Sequence, residues 1–145
     1  MFAMKFNWMQ RATAALILVA TTSVGSAFAQ TKGPIRIGVL APSTGPLAGP
    51  GAEMIDGMKM FWEKNNYTAG GRKVELVIAD TTCNPDQALT QARRLALQEK
   101  VNFLLGPLCG HEGPAVAQVS KETGIPLVLD PAGADTNTKW DRTPT

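Results

Sequence analysis

The side chains of this 145-residue sequence that invite a chemical reading first are its two cysteines, Cys83 and Cys109, and its single histidine, His111. Paired thiols form disulfides, hold soft metals or exchange electrons, and spacing and compartment separate the three. The cysteines do not form a C-x-x-C run, and two thiols with one histidine leave a tetrahedral zinc site incomplete. Residues 1–11 carry Lys5 and Arg11 and no acid, residues 12–24 are mostly apolar, and Ala27-Phe28-Ala29 has the small-x-small form of a signal-peptidase site. Residues 1–29 therefore read as a secretory signal peptide. A membrane anchor needs about 20 apolar residues, and this core is shorter and interrupted by Thr21, Thr22 and Ser23. The mature chain is expected to start at Gln30, with no cysteine nearby to accept a lipid, as a soluble periplasmic protein. Disulfides persist in that compartment, so a Cys83–Cys109 bridge is favoured over a metal or redox pair. It would stabilise the fold by about 3–4 kcal/mol through loop-closure entropy, less any strain.

His111 stands beside Glu112, but no G-x-S-x-G elbow and no second carboxylate at a recognisable spacing accompanies them. No catalytic residue is assigned on that basis. Two readings of His111 stay open: a solvated or structural histidine, and a contact to a carboxylate or aromatic ligand at a helix start, where free N–H groups and partial positive charge favour anions. The glycines of Gly45-x-x-x-Gly49-x-Gly51 have neither the dinucleotide order G-x-G-x-x-G nor the Gly-Lys-Ser/Thr of a P-loop. No nucleotide or other cofactor is expected.

The elements that must position these residues follow from periodicity. Residues 35–41, rich in β-branched side chains and bounded by Pro34 and Pro42, read as a strand buried on both faces. Residues 42–51 read as a loop because of Gly45, Pro46, Gly49 and Pro50. A helix over residues 52–65 follows, with Ile55, Met58, Phe61 and Trp62 on one face. A second strand spans 74–79. Asn84, Pro85 and Gln87 then announce a helix by cap, first-turn proline and capping-box spacing, with Ala88, Ala92, Leu95 and Ala96 facing inward. Residues 101–105 form a third strand, 113–123 a third helix with Val116 and Val119 inward, and 126–129 a fourth strand. This alternation predicts a doubly wound α/β fold with a parallel sheet. Ligands of such sheets lie beyond the carboxyl ends of the strands, here the loops 42–51, 81–84, 107–112 and 130–137. With strand order 2-1-3-4, the cysteine-bearing strand ends stand about 10 Å apart, so both loops must lean across the first strand to form a bridge.

Removing residues 1–29 takes away two of the 14 basic residues and leaves the remainder balanced against 12 acidic ones. That charge favours neither nucleic acid nor an anionic membrane surface as a partner. The remaining length suits one small domain. Its last segment, residues 140–145, lacks a closing element, which predicts a truncated chain.

Several stretches in order resemble the leucine/isoleucine/valine-binding family of periplasmic proteins. They are G-V-L-A-P-S-T-G-P from Gly38, C-N-P-D-Q-A from Cys83, G-P-L-C-G from Gly106, G-I-P-L-V from Gly124 and P-A-G-A from Pro131. The resemblance runs over residues 35–142. It implies a type I periplasmic binding protein whose two α/β lobes close on a small ligand. The partners would be the permease and ATPase of an ABC importer, the protein would be monomeric when complete, and residues 30–145 would be most of the first lobe. The matching ligand-binding positions are Gly110 and His111, then Ala132, Gly133, Ala134, Asp135 and Thr136. Gly110 lacks the hydroxyl that amino-acid-binding members carry there, and Pro50 falls where an aromatic often borders the ligand. Backbone capture of a carboxylate survives these changes better than ammonium recognition, so the candidate ligands are amino acids, organic or aromatic acids, amides and urea. Two other classes remain beside the importer: the ligand-sensing domain of a receptor, and an exported α/β enzyme.

Overall fold

At the centre of the sheet runs β1 (Ile35–Ala41), flanked on one side by β3 (Arg72–Asp80) and on the other by β4 (Phe103–Leu105), both parallel to it. These coordinates come from a computed structural model that describes residues 33–130, all within the compact unit Gly33–Thr145. The signal-peptide expectation falls outside the described residues. With β2 (Thr68–Ala69) and β5 (Leu127–Val128), the strand order is β2-β3-β1-β4-β5. The four parallel strands thus have the expected order, and β2 pairs antiparallel with β3 at the edge.

Side chains alternate across a strand, and β1 divides accordingly. Ile37, Val39 and Ala41 join Ile55 of α1 (Ala48–Lys64) and Val74 on one face. Leu40 joins the other face, with Ala88 and Ala92 of α2 (Pro85–Arg93) and Val116 and Val119 of α3 (Gly113–Thr123). Helices cover both faces, as a doubly wound sheet requires. At the amino-terminal side of the sheet, Glu99 accepts from Arg36 at 2.9 Å and from Arg94 at 3.1 Å, and Asn102 Oδ1 accepts from the Arg36 N–H at 2.8 Å.

The structure departs from expectation in four places. The loop expected over 42–51 is shorter, because α1 starts at Ala48. Pro50 lies in the first turn, where N–H groups have no helical partner, so its missing donor breaks nothing. The first main-chain bond of the helix runs from Gly51 N to Leu47 O at 3.0 Å. Gly51 is also where the helix touches the end of β1, since a Cβ there would stand 1.8 Å from the Pro42 carbonyl oxygen. Second, Gly70 and Gly71, with φ of 55° and 74°, make the two-residue turn of a β2–β3 hairpin. Third, α2 continues as a π-helical turn, Arg94–Gln98, which buries Leu95 and Ala96 and leaves Leu97 63% exposed. The Val101 N–H then closes onto Leu95 O at 3.2 Å, so β4 begins at Phe103 rather than at residue 101. Fourth, Phe61 does not face inward. It is 58% exposed, its ring edge-on to Trp62 at 5.1 Å between centroids.

Candidate functional site

Three loops meet at the carboxyl ends of β1, β3 and β4, and hydrogen bonds and a disulfide tie them together. The loop after β1 is held by Asp80, the last residue of β3. One Asp80 carboxyl oxygen accepts from the Ser43 N–H at 2.8 Å and the Thr82 N–H at 2.9 Å, and the other from the Thr44 hydroxyl at 2.6 Å. Partial burial raises this carboxyl, but the Thr44 hydroxyl and the Ser43, Thr82 and Thr44 backbone groups outweigh it and hold Asp80 below its ordinary value. Asp80 therefore stays a carboxylate that ties residues 43 and 44 to the neighbouring strand. It went unrecognised in the sequence, where the one available signal was a carboxylate closing a strand at the ligand-facing edge.

The loop after β3 crosses over β1 to meet the loop after β4. Thr82 and Cys83 take left-handed backbone values, φ 52° and 56°, which turn the chain sharply. The result is the Cys83–Cys109 disulfide, with the Cα atoms 5.6 Å apart although β1 separates their strands. Asn84 then caps α2, its side-chain oxygen accepting from Asp86 N at 2.9 Å and Gln87 N at 3.1 Å.

The third loop leads into the 3-10 turn Gly110–Glu112, directly ahead of α3. His111 folds back over the disulfide. Its Nε2–H donates to the Cys83 carbonyl at 3.0 Å. Gly110 and His111 thus sit together at the edge, joined to the preceding loop by the disulfide beside them and by this hydrogen bond. Glu112, the next residue, is fully buried. Burial pushes its carboxyl up, against the opposing pull of Thr81, the Cys109 and Asn84 backbone, and His111. Thr81 and Glu112 are a second feature the sequence reading did not assign, because nothing in their spacing, 31 residues apart, signals contact. Ala132, Gly133, Ala134, Asp135 and Thr136 lie outside the described residues.

Among the described residues no cluster of three or more His, Cys, Asp or Glu could hold a metal ion. A groove of about 540 Å³ lies along α1, lined by Met54, Met58, Phe61, Trp62, Phe103 and Leu108 among others. It runs along the sheet face to the carboxyl edge, where Leu108 of the loop after β4 and Asp130, just after β5, also line it. No helix among the described residues is long and apolar enough to cross a membrane.

The chain has known counterparts. The Leu/Ile/Val-binding protein homolog 7 of Brucella abortus (strain 2308) is 34% identical over 122 residues, covering 83% of this chain and 30% of that protein. The chain thus spans about a third of the length of this relative. An ABC transporter substrate-binding protein from Sphaerobacter thermophilus superposes with a TM-score of 0.72 at 30% identity, over 77% of this chain and 30% of that one. A solute-binding protein of an ABC transporter from R. palustris, in complex with benzoate, superposes with a TM-score of 0.67 at 28% identity, over 71% and 29%. Residues 34–145 match the periplasmic binding protein family, and the chain belongs to that family, with the doubly wound α/β architecture of its type I members.

Proposed function

We propose that this chain is the first lobe of the solute-binding component of an ABC importer. In this reading it captures a small amino acid, organic or aromatic acid, or amide in a cleft between two lobes, in the periplasm after loss of residues 1–29. The inner-membrane permease and ATPase are its partners, and it performs no chemistry on the ligand. The observation that carries the reading is the bonded edge: loops from three strands are tied to one another at the carboxyl side of the sheet by Asp80, by the Cys83–Cys109 disulfide and by the His111–Cys83 hydrogen bond. A fixed edge binds a small solute without an ordering cost at the moment of capture. Gly110 and His111, with Ala132, Gly133, Ala134 and Asp135, are the residues assigned to the ligand. Backbone N–H groups at a helix start suit a carboxylate, and the relatives' names, Leu/Ile/Val-binding in one and a benzoate complex in another, span that class.

The test is thermal unfolding of the full-length protein against leucine, benzoate, short organic acids and small amides. A ligand at about 100 times its Kd stabilises the folded state by about 2.7 kcal/mol, so a shift confined to one class names the substrate. The absence of a shift with every class overturns the reading. Ligand recovered chemically altered overturns the non-enzymatic part. Amino-terminal sequencing of the exported protein is expected to begin at Gln30.

A further inference from the structure

The turn that carries the loop after β3 across β1 is one that its residues disfavour. The Asn84 N–H closes onto Thr81 O at 2.9 Å, and both residues between them have positive φ, 52° at Thr82 and 56° at Cys83. Two consecutive positive values at the centre of a four-residue turn are the pattern that glycine and asparagine serve, because a Cβ crowds the backbone there. Thr82 is β-branched, which makes its left-handed value the costlier of the two. Backbone in such a state persists only where its surroundings over-determine it, and it gathers at ligand clamps and switch regions.

The corner is held from outside. The Thr82 N–H donates to Asp80 Oδ1 at 2.9 Å, the disulfide fixes the Cys83 side chain to Cys109, and the Cys83 carbonyl accepts from His111 at 3.0 Å. The last two ties run to the loop that carries Gly110 and His111. The first runs to an oxygen with a second duty. The same Asp80 Oδ1 accepts from the Ser43 N–H at 2.8 Å, while Oδ2 accepts from the Thr44 hydroxyl at 2.6 Å. One carboxylate oxygen therefore fixes the loop after β1 and the corner after β3 relative to each other, at the paired strand ends Ala41 and Asp80. From Ser43 to His111 the bonds run in series; the disulfide secures the far end of that series and Asp80 the near end. We propose that Asp80 is a positioning residue for ligand capture: the oxygen it shares between two loops holds the left-handed corner at Thr82 and Cys83, and through that corner sets where the turn of Gly110 and His111 stands. The proposal rests on the capture reading only in assigning Gly110 and His111 to the ligand.

The test separates the place of that oxygen from its charge. Asp80→Asn keeps an oxygen where Oδ1 stands and an amide that can donate to the Thr44 hydroxyl. Asp80→Glu keeps the charge but carries it one methylene further out, and Asp80→Ala removes both oxygens. Backbone amide NMR spectra of the full-length protein, recorded at neutral pH without ligand, are expected to show Gly110 and His111 at their natural positions in Asp80→Asn and displaced in Asp80→Glu and Asp80→Ala. Displacements confined to Ser43, Thr44 and Thr82 would make Asp80 a local tie and overturn the proposal. So would Gly110 and His111 displaced as far in Asp80→Asn as in Asp80→Ala. Should Asp80→Ala not fold, Asp80→Glu carries the comparison. Affinity for leucine and for benzoate, measured by calorimetry, supplies the functional arm: it is expected to be about tenfold weaker in Asp80→Ala and Asp80→Glu, the worth of one charge-assisted hydrogen bond, and within about threefold of the natural sequence in Asp80→Asn. Equal affinity in all four proteins overturns the proposal. If the natural sequence binds neither probe, the capture reading fails for those solutes, and the amide spectra, which need no ligand, still uphold or overturn the role of Asp80.

Discussion

On one face of the sheet, Leu40, Leu95, Leu104, Val116 and Val119 are wholly buried under α2 and α3, whereas on the other, among the described residues, α1 alone covers Ile37, Val39 and Val74 and leaves Phe61 largely in solvent. The strands contribute similar apolar side chains to both faces. Coverage differs, because among the described residues two helices side by side seal one face and a single helix leaves a groove along the other. An apolar residue therefore contributes according to what lies over it and not according to its hydropathy. The same contrast governs the two carboxyls at the edge. Glu112, shut in beside α3, is driven toward its neutral form, while Asp80, only partly buried and supplied with three donors, stays charged.

The largest effect that tests this contrast is on the sealed face. Leu104→Ala is expected to cost about 2–5 kcal/mol, measured by denaturant unfolding, because no neighbour is free to fill the space; a cost under about 1 kcal/mol would break the comparison. On the open face the sensitive point is backbone contact. Gly51→Ala puts a Cβ against the Pro42 carbonyl, and α1 must shift away from β1, at an expected cost of about 1–3 kcal/mol in the same measurement. Third comes the acid limb of stability against pH. Asp80 has a folded value below its unfolded one, so its contribution is present above the ordinary carboxylate range and is lost as pH falls through the folded value. Asp80→Ala is expected to flatten that limb in thermal melts, and an unchanged limb would assign it elsewhere. Glu112 has the opposite sign: its folded value lies above the unfolded one, so its contribution is present at low pH and declines as pH rises through the folded value. The smallest effect belongs to Phe61→Ser on the open face, expected within about 0.5 kcal/mol of the natural sequence. A larger loss would mean that the exposed ring is covered in the full-length protein.

Much of this arrangement was legible in the sequence, and the parts that were not share a cause. β1 and β3 announce themselves by β-branched runs, α2 by Asn84 and Pro85, and the inward positions Ala88, Ala92, Leu95, Ala96, Val116 and Val119 by helical spacing; all six are buried. The cysteine pairing followed from compartment and count. What escaped is whatever depends on partners distant in sequence. Pro50 reads as a breaker until its place in a first turn is known. Phe61 satisfies the apolar period of α1, yet the period cannot tell how wide a stripe the sheet will cover. Asp80 acquires its meaning from Ser43 and Thr44, more than 30 residues earlier, and Glu112 from Thr81. The candidate site was located by topology, at the carboxyl ends of the strands, while the polar side chains that organise it were found only when the loops were brought together.

The Cys83–Cys109 bridge also bears on the order in which the chain can fold. Its two ends are 26 residues apart, and the strands it straddles, β1, β3 and β4, all precede Cys109 in the chain. Neither α3 nor β5 is needed to bring the thiols together. A polypeptide emerging amino end first can therefore close this ring as soon as residue 109 is clear, while everything after it is still being delivered. The disulfide-linked corner is then the earliest part of the sheet to become covalently committed, and later elements pack onto a template already set.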